Sequence, residues 1–515
     1  MKSKLLLCAL LMTLLGTVAC SHEHPAGADR FRAATLDPGA ATGEDTAGGA
    51  AGADERPVPA SDRNVVVVVV DDASDVSCAE LPRFLPRTSA LLRDRGRCYE
   101  DATVTSPACC PSRAVLQTAQ MGHNNGVTRQ IDAERLRVED TLQHQLTEAG
   151  WDTYGTGKYF NGTSSWLYES GERSSGFLTS DFWEGSKYYG YPLWNDETQQ
   201  PEVQTDGVHT TTRTGRFLRS FIADHAGGER PFYAYAAFKA PHTDNSMQRL
   251  VQRDPIPTEA NRDRPVPPFR WRPEPDTSDK LPIYQEQLRP RSFYERRYEA
   301  RTRSMYDVDD EMGRTFDLLR DLGELEDTAI FFVSDNGYHL GENGWETKGD
   351  PYGAAMDVPM LAWLPAEFGE GVVDTRPVGL IDVAPTVYDL LGLTPDHLVD
   401  GHSLLDDERR PGTFFELENE HSEDLLKEAG RSPGRVPTWA MYRSGRSTYL
   451  EYYRHDGSLI RGEFYRGDDY DENLLWPGNR ALRPDEETLA WFRARLREGR
   501  TCAGTVEQGS ANPCP

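Results

Sequence analysis

Residues 64–72 read NVVVVVVDD, six consecutive valines followed by two aspartates. A β-branched run without a polar position is typical of a strand buried on both faces, as in a parallel sheet covered by helices on both sides. The two carboxylates stand directly where this strand ends. Because ligands in open α/β sheets bind outside the carboxyl ends of the strands, the stretch predicts both the fold class and the edge that carries a site.

Strand and helix signals alternate through most of the chain. Residues 86–95 predict a short helix, and the apolar runs at 232–238 and 328–333 predict two more buried strands. Four apolar residues at helical spacing over 308–319 predict an amphipathic helix that Gly323 is placed to end. This alternation indicates an α/β sheet flanked by helices.

The pattern changes near the C-terminus. Short alternating runs such as 448–453 and 462–465 predict a small antiparallel sheet, and residues 484–498 predict a helix that follows it. We therefore divide the ordered chain into a large α/β domain over residues 64–404 and a smaller C-terminal α+β subdomain over residues 405–515.

Residues 1–20 predict an export signal, with two lysines ahead of an apolar run at 5–15 that is too short to span a bilayer. Cys20 fits the lipidated first residue of a bacterial lipoprotein, but Thr17 stands where such sites usually carry Leu. A lipid-anchored envelope protein and a secreted protein both stay open. Residues 21–63, rich in Gly, Ala, Asp and Pro, predict a flexible linker.

The composition excludes some partners. The 515 residues include 83 Asp+Glu against 56 Lys+Arg, a formal charge of −27, which argues against nucleic-acid binding and against a membrane contact other than a lipid anchor. In an oxidising compartment Cys502 can close a short loop with Cys514, and Cys78 can pair with Cys98, although sequence alone leaves the connectivity open.

Polar pairs stand after two of the predicted core strands, Asp71-Asp72 after the first and Asp335-Asn336 after the third. Three carboxylates and one amide form an oxygen-only donor set that suits a hard cation such as Ca²⁺. Each pair alone can be an ordinary turn. Their placement at equivalent strand ends predicts a metal site.

A signature for chemistry lies at residues 106–114, which read SPACCPSRA and contain Cys-x-Pro-x-Arg from Cys109 to Arg113. It resembles the signature of the type I, formylglycine-dependent sulfatases of the alkaline-phosphatase-like superfamily, and most of all that of the N-acetylglucosamine-6-sulfatases. The resemblance continues in order over residues 64–480. Its further segments are Gly157-Lys158-Tyr159, FKAPH at 238–242, SDNGYHLGE at 334–342, Lys348-Gly349, and a terminal turn from EFY at 463–465 to DEN at 471–473.

The resemblance implies a large central mixed, mostly parallel β-sheet flanked by helices, plus a smaller C-terminal antiparallel sheet with a helix. It implies that a formylglycine-generating enzyme converts Cys109 to an aldehyde whose hydrate attacks the sulfur of a sulfate monoester. The implied ligands of Ca²⁺ are Asp71, Asp72, Cys109 as formylglycine, Asp335 and Asn336. The implied catalytic side chains are Cys109 as formylglycine, Arg113, Lys158, His242, His339 and Lys348.

The implied partner is a sulfated carbohydrate, such as 6-O-sulfated N-acetylglucosamine of a glycosaminoglycan, or another sulfate ester. Two positions depart from the family: Gln120 replaces a basic residue that commonly supports the formylglycine, and Phe160 replaces a histidine found in many members. Between residues 249 and 303 basic residues exceed acidic ones, so part of this segment, including Arg270 and Arg272, borders the substrate cleft or forms a solvated loop.

Two other functions compete with this interpretation. A phosphonate monoester or phosphodiester hydrolase of the same superfamily can share the signature, but those enzymes typically place His after the second metal-site Asp, where this chain has Asn336. A non-catalytic, envelope-tethered glycan-binding protein would keep Cys109 as a thiol.

Overall fold

The computed structural model describes residues 56–162, 175–183, 185, 187–195, 200–244, 253–271, 280–285, 289–342, 345–364, 367, 369–407, 409–418, 437–454, 456–466 and 484–514. The predicted signal at 1–20 with Cys20, most of the predicted linker at 21–63, Arg272 and the segment 471–473 lie outside the described residues.

The strands and helices of these residues follow in chain order. The strands are β1 (Asn64–Val70), β2 (Arg97–Thr103), β3 (Asp152–Lys158), β4 (Thr179–Trp183), β5 (Pro192–Asn195), β6 (Gln200–Val203), β7 (Phe232–Ala237), β8 (Thr328–Ser334), β9 (His339–Leu340), β10 (Glu346–Thr347), β11 (Met360–Trp363), β12 (Val372–Gly379), β13 (Thr413–Leu417), β14 (Thr438–Ser444), β15 (Ser447–Tyr453) and β16 (Leu459–Arg466). The helices are α1 (Pro86–Thr88), α2 (Cys109–Thr118), α3 (Gly122–Asn125), α4 (Leu142–Glu148), α5 (Thr210–His225), α6 (Arg291–Leu322), α7 (Gly353–Met356), α8 (Val383–Leu391) and α9 (Glu486–Gly499).

Ten strands form the central sheet in the order β12-β2-β11-β8-β1-β7-β3-β4-β5-β6. The valine strand β1 lies between β7 and β8 and is parallel to both. Strand β11 is antiparallel to its two neighbours, and the edge strands β5 and β6 are also antiparallel. The predicted mixed, mostly parallel sheet flanked by helices is confirmed.

Strand β1 is buried on both faces, as its composition predicts. Each of its six valines is at most 1% exposed. Val65, Val67 and Val69 pack into one apolar core, and the alternate valines pack into the core on the other face of the sheet. Because each fully buried valine contributes about 1.5–3 kcal/mol relative to an exposed one, this run anchors the centre of the molecule.

Helix α6 carries the predicted apolar face over 308–319 and ends at Gly323, which has a φ of 79°. It begins at Arg291, well before the apolar pattern. Its first half lacks that pattern because it buries several polar side chains. Among these, Arg297 and Arg301 are nearly inaccessible to solvent. Sequence periodicity alone does not reveal a helix face of that kind.

The C-terminal strands form a separate antiparallel sheet in the order β13-β14-β15-β16, and α9 packs against β14 and β15. This confirms the predicted second sheet with its helix, whereas the boundary at 404/405 stays a prediction. Val115 of α2 shares an apolar cluster with Phe414 and Tyr442 of the small sheet, so the two sheets are joined through packed side chains.

Both anticipated disulfides are confirmed, Cys78 with Cys98 and Cys502 with Cys514. None of the helices in the described part of the chain is both long enough and apolar enough to cross a membrane.

Candidate active site

The carboxyl ends of β1 and β8 bring the two predicted polar pairs together. Residue 70 stands opposite residue 334 in the parallel register, so the next residues of both strands emerge side by side. The amide nitrogen Nδ2 of Asn336 donates to Asp72 Oδ1 over 2.7 Å, and the backbone N–H of Asp72 donates to Asp335 Oδ1 over 3.1 Å. Asp71 and the other three residues are each at most 1% exposed.

Cys109 is the first residue of α2 and points its sulfur at this edge of the sheet. The Sγ atom lies 3.4 Å from Asp71 Oδ1, 3.3 Å from Lys158 Nζ and 2.7 Å from Lys348 Nζ. These residues come from four separate parts of the chain. A group at this position therefore lies between a carboxylate and two ammonium groups.

Three cations neutralise the three carboxylates. Lys158, the last residue of β3, forms an ion pair with Asp71. Lys348, which follows β10, pairs with Asp72 and donates to Asn336 Oδ1 over 3.1 Å. Arg113, one helical turn beyond Cys109, donates its Nε to Asp335 Oδ2 over 2.9 Å. We refer to Asp71, Asp72, Cys109, Arg113, Lys158, Asp335, Asn336 and Lys348 as the Cys109 cluster.

Burial and charge shift the pKa values of the cluster in opposite directions. Burial by itself raises the pKa of Asp71, but Lys158, His242 and Lys348 together hold it well below its usual range. Burial and the nearby Asp71 carboxylate raise the pKa of the Cys109 thiol to about 12. An unmodified thiol here is therefore protonated near neutral pH and is a weak nucleophile.

His242 lies beside the cluster rather than on the sulfur. Its Nε2 is 3.8 Å from Asp72 Oδ2, and its Nδ1 is 2.7 Å from the carbonyl oxygen of Thr243. Tyr188 donates its hydroxyl to the carbonyl oxygen of His242 over 2.7 Å. Because burial lowers the pKa of His242 to about 3, the imidazole is neutral in this setting.

His339 is fully buried, and its Nε2 lies 2.9 Å from Asp350 Oδ1. Its ring also meets Trp345 edge-on at 5.4 Å. Among the described contacts, His339 thus faces Asp350 and Trp345, and its predicted catalytic role stays a prediction.

The two departures from the family have structural counterparts. Gln120 donates its Nε2 to the carbonyl oxygen of Leu398 over 3.0 Å. The positive charge described at Cys109 comes instead from Lys158 and Lys348. Phe160 is buried and packs edge-on against Tyr159 at 4.5 Å, so its role at this position is packing.

Sequence reasoning missed two buried basic residues beside the site. Lys239 places its Nζ 3.3 Å from His242 Nδ1, and burial lowers the pKa of this lysine to about 7. Arg301 of α6 donates to the carbonyl oxygens of Asp72 and Pro241. For Lys239 the sequence offered one signal, its position directly after an apolar strand. For Arg301 it offered none, because nothing in the helical pattern distinguishes this residue from a surface arginine.

The donor set fits a hard divalent cation. Asp71, Asp72, Asp335 and Asn336 offer oxygen atoms on one dry edge of the sheet, which are the ligands that Ca²⁺ prefers. Ligand atoms of Asp71, Asp72, Cys109 and His242 also lie within 4.8 Å of one another. Because three cations already balance the three carboxylates, a bound divalent ion would leave the cluster with net positive charge for an anion.

Comparison with known proteins agrees with this geometry. A family model described as Sulfatase matches residues 63–393. The extracellular sulfatase SULF-1 homolog of Drosophila melanogaster is 30% identical over 360 residues, which cover 66% of this chain and 31% of that protein. The N-acetylglucosamine-6-sulfatase of Homo sapiens is 26% identical over 370 residues, which cover 66% of this chain and 63% of that protein. The chain spans 49%, 31% and 59% of the length of the first three curated relatives that it matches.

Solved structures show the same fold. A protein in complex with its substrate D-glucosamine-2-N,6-O-disulfate superposes with a TM-score of 0.64 at 18% identity, over 85% of this chain and 97% of that one. A phosphonate monoester hydrolase from Silicibacter pomeroyi superposes with a TM-score of 0.61 at 18% identity, over 84% of this chain and 95% of that one. At these identities the likeness concerns the fold alone.

Proposed function

Because the chain belongs to the sulfatase family, we propose that it hydrolyses sulfuric esters at the Cys109 cluster. One observation carries this proposal. The sulfur of Cys109 lies within hydrogen-bond distance of the ammonium groups of Lys158 and Lys348 and of the carboxylate of Asp71. A sulfate monoester repels an incoming nucleophile through its charged oxygens, so it reacts where positive charge is held in place around the attacked sulfur.

We infer that Cys109 is the precursor of formylglycine rather than the nucleophile itself. The high pKa of its thiol and its burial at the start of α2 support this interpretation. The modified residue would supply a hydrated aldehyde, one hydroxyl of which would bond to sulfur while the bond from sulfur to the alcohol oxygen breaks. Modification requires a formylglycine-generating enzyme as a partner during maturation.

Asp71, Asp72, Asp335 and Asn336, with the modified Cys109, are the residues that would hold Ca²⁺. The ion would draw sulfate oxygens toward the site and favour the ionised nucleophile. Asp71 Oδ1, which accepts the contact from Cys109 Sγ, is placed to accept a hydrogen bond from a hydroxyl at this position and to orient it. Lys158, Lys348 and Arg113 offset the charge of the sulfate oxygens.

His242 is the side chain best placed to face the leaving oxygen. Its Nε2 points toward Asp72 at 3.8 Å, and its Nδ1 contacts the Thr243 carbonyl. Because Nδ1 carries its hydrogen toward the Thr243 carbonyl, Nε2 of the neutral ring has no proton. We propose that the negative charge of a bound sulfate ester favours the protonated ring, whose Nε2–H donates to the bridging oxygen as the alcohol departs.

For the substrate, we propose a sulfated carbohydrate, with 6-O-sulfated N-acetylglucosamine as the first candidate. The name of the human relative and the disulfated glucosamine that the first structural neighbour binds support this choice. Export to the envelope or the medium, with or without a lipid at Cys20, would place the protein where glycosaminoglycans are degraded. The name of the Drosophila melanogaster relative, an extracellular sulfatase, is consistent with export.

The test compares purified protein, co-expressed with a formylglycine-generating enzyme, on aryl sulfate, aryl phosphonate monoesters and defined sulfated mono- and disaccharides. We expect sulfate release from the aryl sulfate and preferential release from 6-O-sulfated N-acetylglucosamine. A strong preference for the phosphonate would identify a phosphonate monoester hydrolase instead. Binding of sulfated glycans without any turnover, with Cys109 still a thiol, would identify a glycan-binding protein.

A further inference from the structure

The loop that carries Lys348 leaves the Cys109 cluster and contacts the C-terminal sheet. Trp439 of β14 is 1% exposed, and its indole Nε1–H donates to the carbonyl oxygen of Gly349 over 3.1 Å. Three residues further along, the hydroxyl of Tyr352 lies 2.9 Å from the hydroxyl of Tyr452 on β15. The loop therefore spans from the nucleophile position to the small sheet.

Lysine has a flexible four-carbon side chain, so the position of its ammonium depends on how firmly the backbone holds its Cα. Gly349, directly after Lys348, has a φ of 92°, in the left-handed region that favours glycine. The backbone therefore makes an unusual turn at the residue whose carbonyl Trp439 contacts. In the described contacts, the indole of Trp439 is the donor that meets this carbonyl.

The same loop also carries Asp350, the partner of the predicted catalytic residue His339. Asp350 Oδ1 accepts the backbone N–H of Tyr352 over 3.2 Å and lies 2.9 Å from His339 Nε2. A displacement of the loop would therefore move Lys348 away from Cys109 and Asp72 and would also disturb the partner of His339.

We propose that Trp439 is a positioning residue for sulfate ester hydrolysis, which holds the Gly349 carbonyl and thereby keeps the Lys348 ammonium on Cys109 and Asp72. The inference rests on the proposed function, since it takes Lys348 as a catalytic cation. By this inference the C-terminal sheet helps to hold the active site in place, through the contact of Trp439 with the loop of Lys348.

The test replaces Trp439→Phe, which keeps an apolar ring and removes the N–H donor. Trp363→Phe is the matched control, because Trp363 is equally buried and donates its Nε1–H to the backbone carbonyl of Leu325 over 3.2 Å, in a strand away from the loop. With an aryl sulfate we expect W439F to lower kcat about tenfold with less than about a twofold change in KM, since small displacements of catalytic groups cost rate. W363F lowers Tm by a similar amount and leaves kcat unchanged.

A double-mutant cycle with Lys348→Met separates positioning from general damage. If Trp439 acts chiefly through Lys348, adding W439F to K348M lowers kcat much less than adding it to the wild type, because the main group that it positions is already gone. Equal kcat values for W439F and wild type, equal losses in W439F and W363F, or fully multiplicative losses in the cycle would each overturn the inference. Failure of the wild-type protein to release sulfate from any ester would instead refute the proposed function.

Discussion

The surroundings of Cys109 act in opposite directions on the charge of its thiol. It is buried beside a carboxylate, which disfavours its thiolate, yet two lysine ammonium groups lie within 3.3 Å of its sulfur. Such surroundings disfavour a thiolate but offer two hydrogen-bond donors and one acceptor to a polar group at this position. Cys110, the neighbouring cysteine, accepts the backbone N–H of Asn161 instead and lies in the apolar core.

The contrast between the two cysteines predicts that their replacement has different effects on activity. Cys109→Ala should lower kcat for an aryl sulfate at least about a thousandfold, because the nucleophile is lost. Cys110→Ala should keep most of the activity and lose some thermal stability. Peptide mass spectrometry of the active protein should find an aldehyde at position 109 and a thiol at 110. Full activity with an unmodified thiol at 109 would contradict this prediction.

The predicted Ca²⁺ site leads to a prediction about removal and re-addition of the ion. Exhaustive chelation should abolish turnover, and added Ca²⁺ should restore it and raise Tm, since an ion that binds only the folded state stabilises it. Asp335→Asn should lose the Ca²⁺-dependent rise in Tm. Asp374→Asn, which removes a buried carboxylate paired with Arg97 and Arg376, should keep that rise. A Tm that is insensitive to Ca²⁺ in the wild type would rule out the site.

At the scale of elements, short helices and strands connect α2, the helix that begins at Cys109, to the C-terminal sheet. Helix α3 follows α2 closely and places His123 against Glu416 of β13, with Nδ1 and Oε1 2.8 Å apart. The other ring nitrogen lies 3.0 Å from the carbonyl oxygen of Cys502, next to the terminal disulfide. Burial by itself lowers the pKa of His123, but these partners raise it to about 9.

This histidine predicts how stability depends on pH. The pKa of His123 is higher in the folded protein than the value of about 6.5 in an unfolded chain, so its stabilisation is complete below pH 6.5 and is lost as pH rises through 9. Chemical denaturation should show that His123→Gln is less stable than wild type by on the order of 2 kcal/mol at pH 6, with little difference at pH 10. Glu416→Gln should behave alike. Parallel stability curves for wild type and variants would contradict the assignment.

At the scale of the whole molecule, a charge of −27 coexists with a site built for an anion. Three of the acids lie in the Cys109 cluster, where an equal number of cations balances them. Near the site, Arg270 lines a cavity of about 280 Å³ together with Phe269, Tyr298 and Pro241. The guanidinium of Arg270 is 77% exposed and pairs with Glu80 at 2.7 Å.

A charge reversal tests whether this basic segment borders the substrate cleft. Arg270→Glu should raise KM for sulfated oligosaccharides about threefold or more and leave KM for a small aryl sulfate nearly unchanged, because only the longer anion reaches the segment. Arg320→Glu, on the exposed last turn of α6, is the matched control and should affect neither KM. Equal changes for both substrates in R270E would favour the solvated loop.

The central strands could be predicted because their causes are local. Six valines in a row bury both faces of β1 wherever the sheet places it, and Asp71 and Asp335 had to follow strands that end on one edge. The order of the strands was not accessible in this way. Strand β11 inserts antiparallel between β2 and β8, a choice that depends on how distant segments pack and leaves no periodic trace in its four residues.

By itself, the sequence determined the α/β class, the polar strand ends and the Cys109–Arg113 signature, since composition, periodicity and spacing are properties of neighbouring residues. Only the tertiary structure decided which distant groups meet. It placed Lys239 against His242, turned His339 toward Asp350 and put the indole of Trp439 on the loop of Lys348. Such contacts join residues through the sheet order and the packing of the second sheet, and no local pattern encodes them.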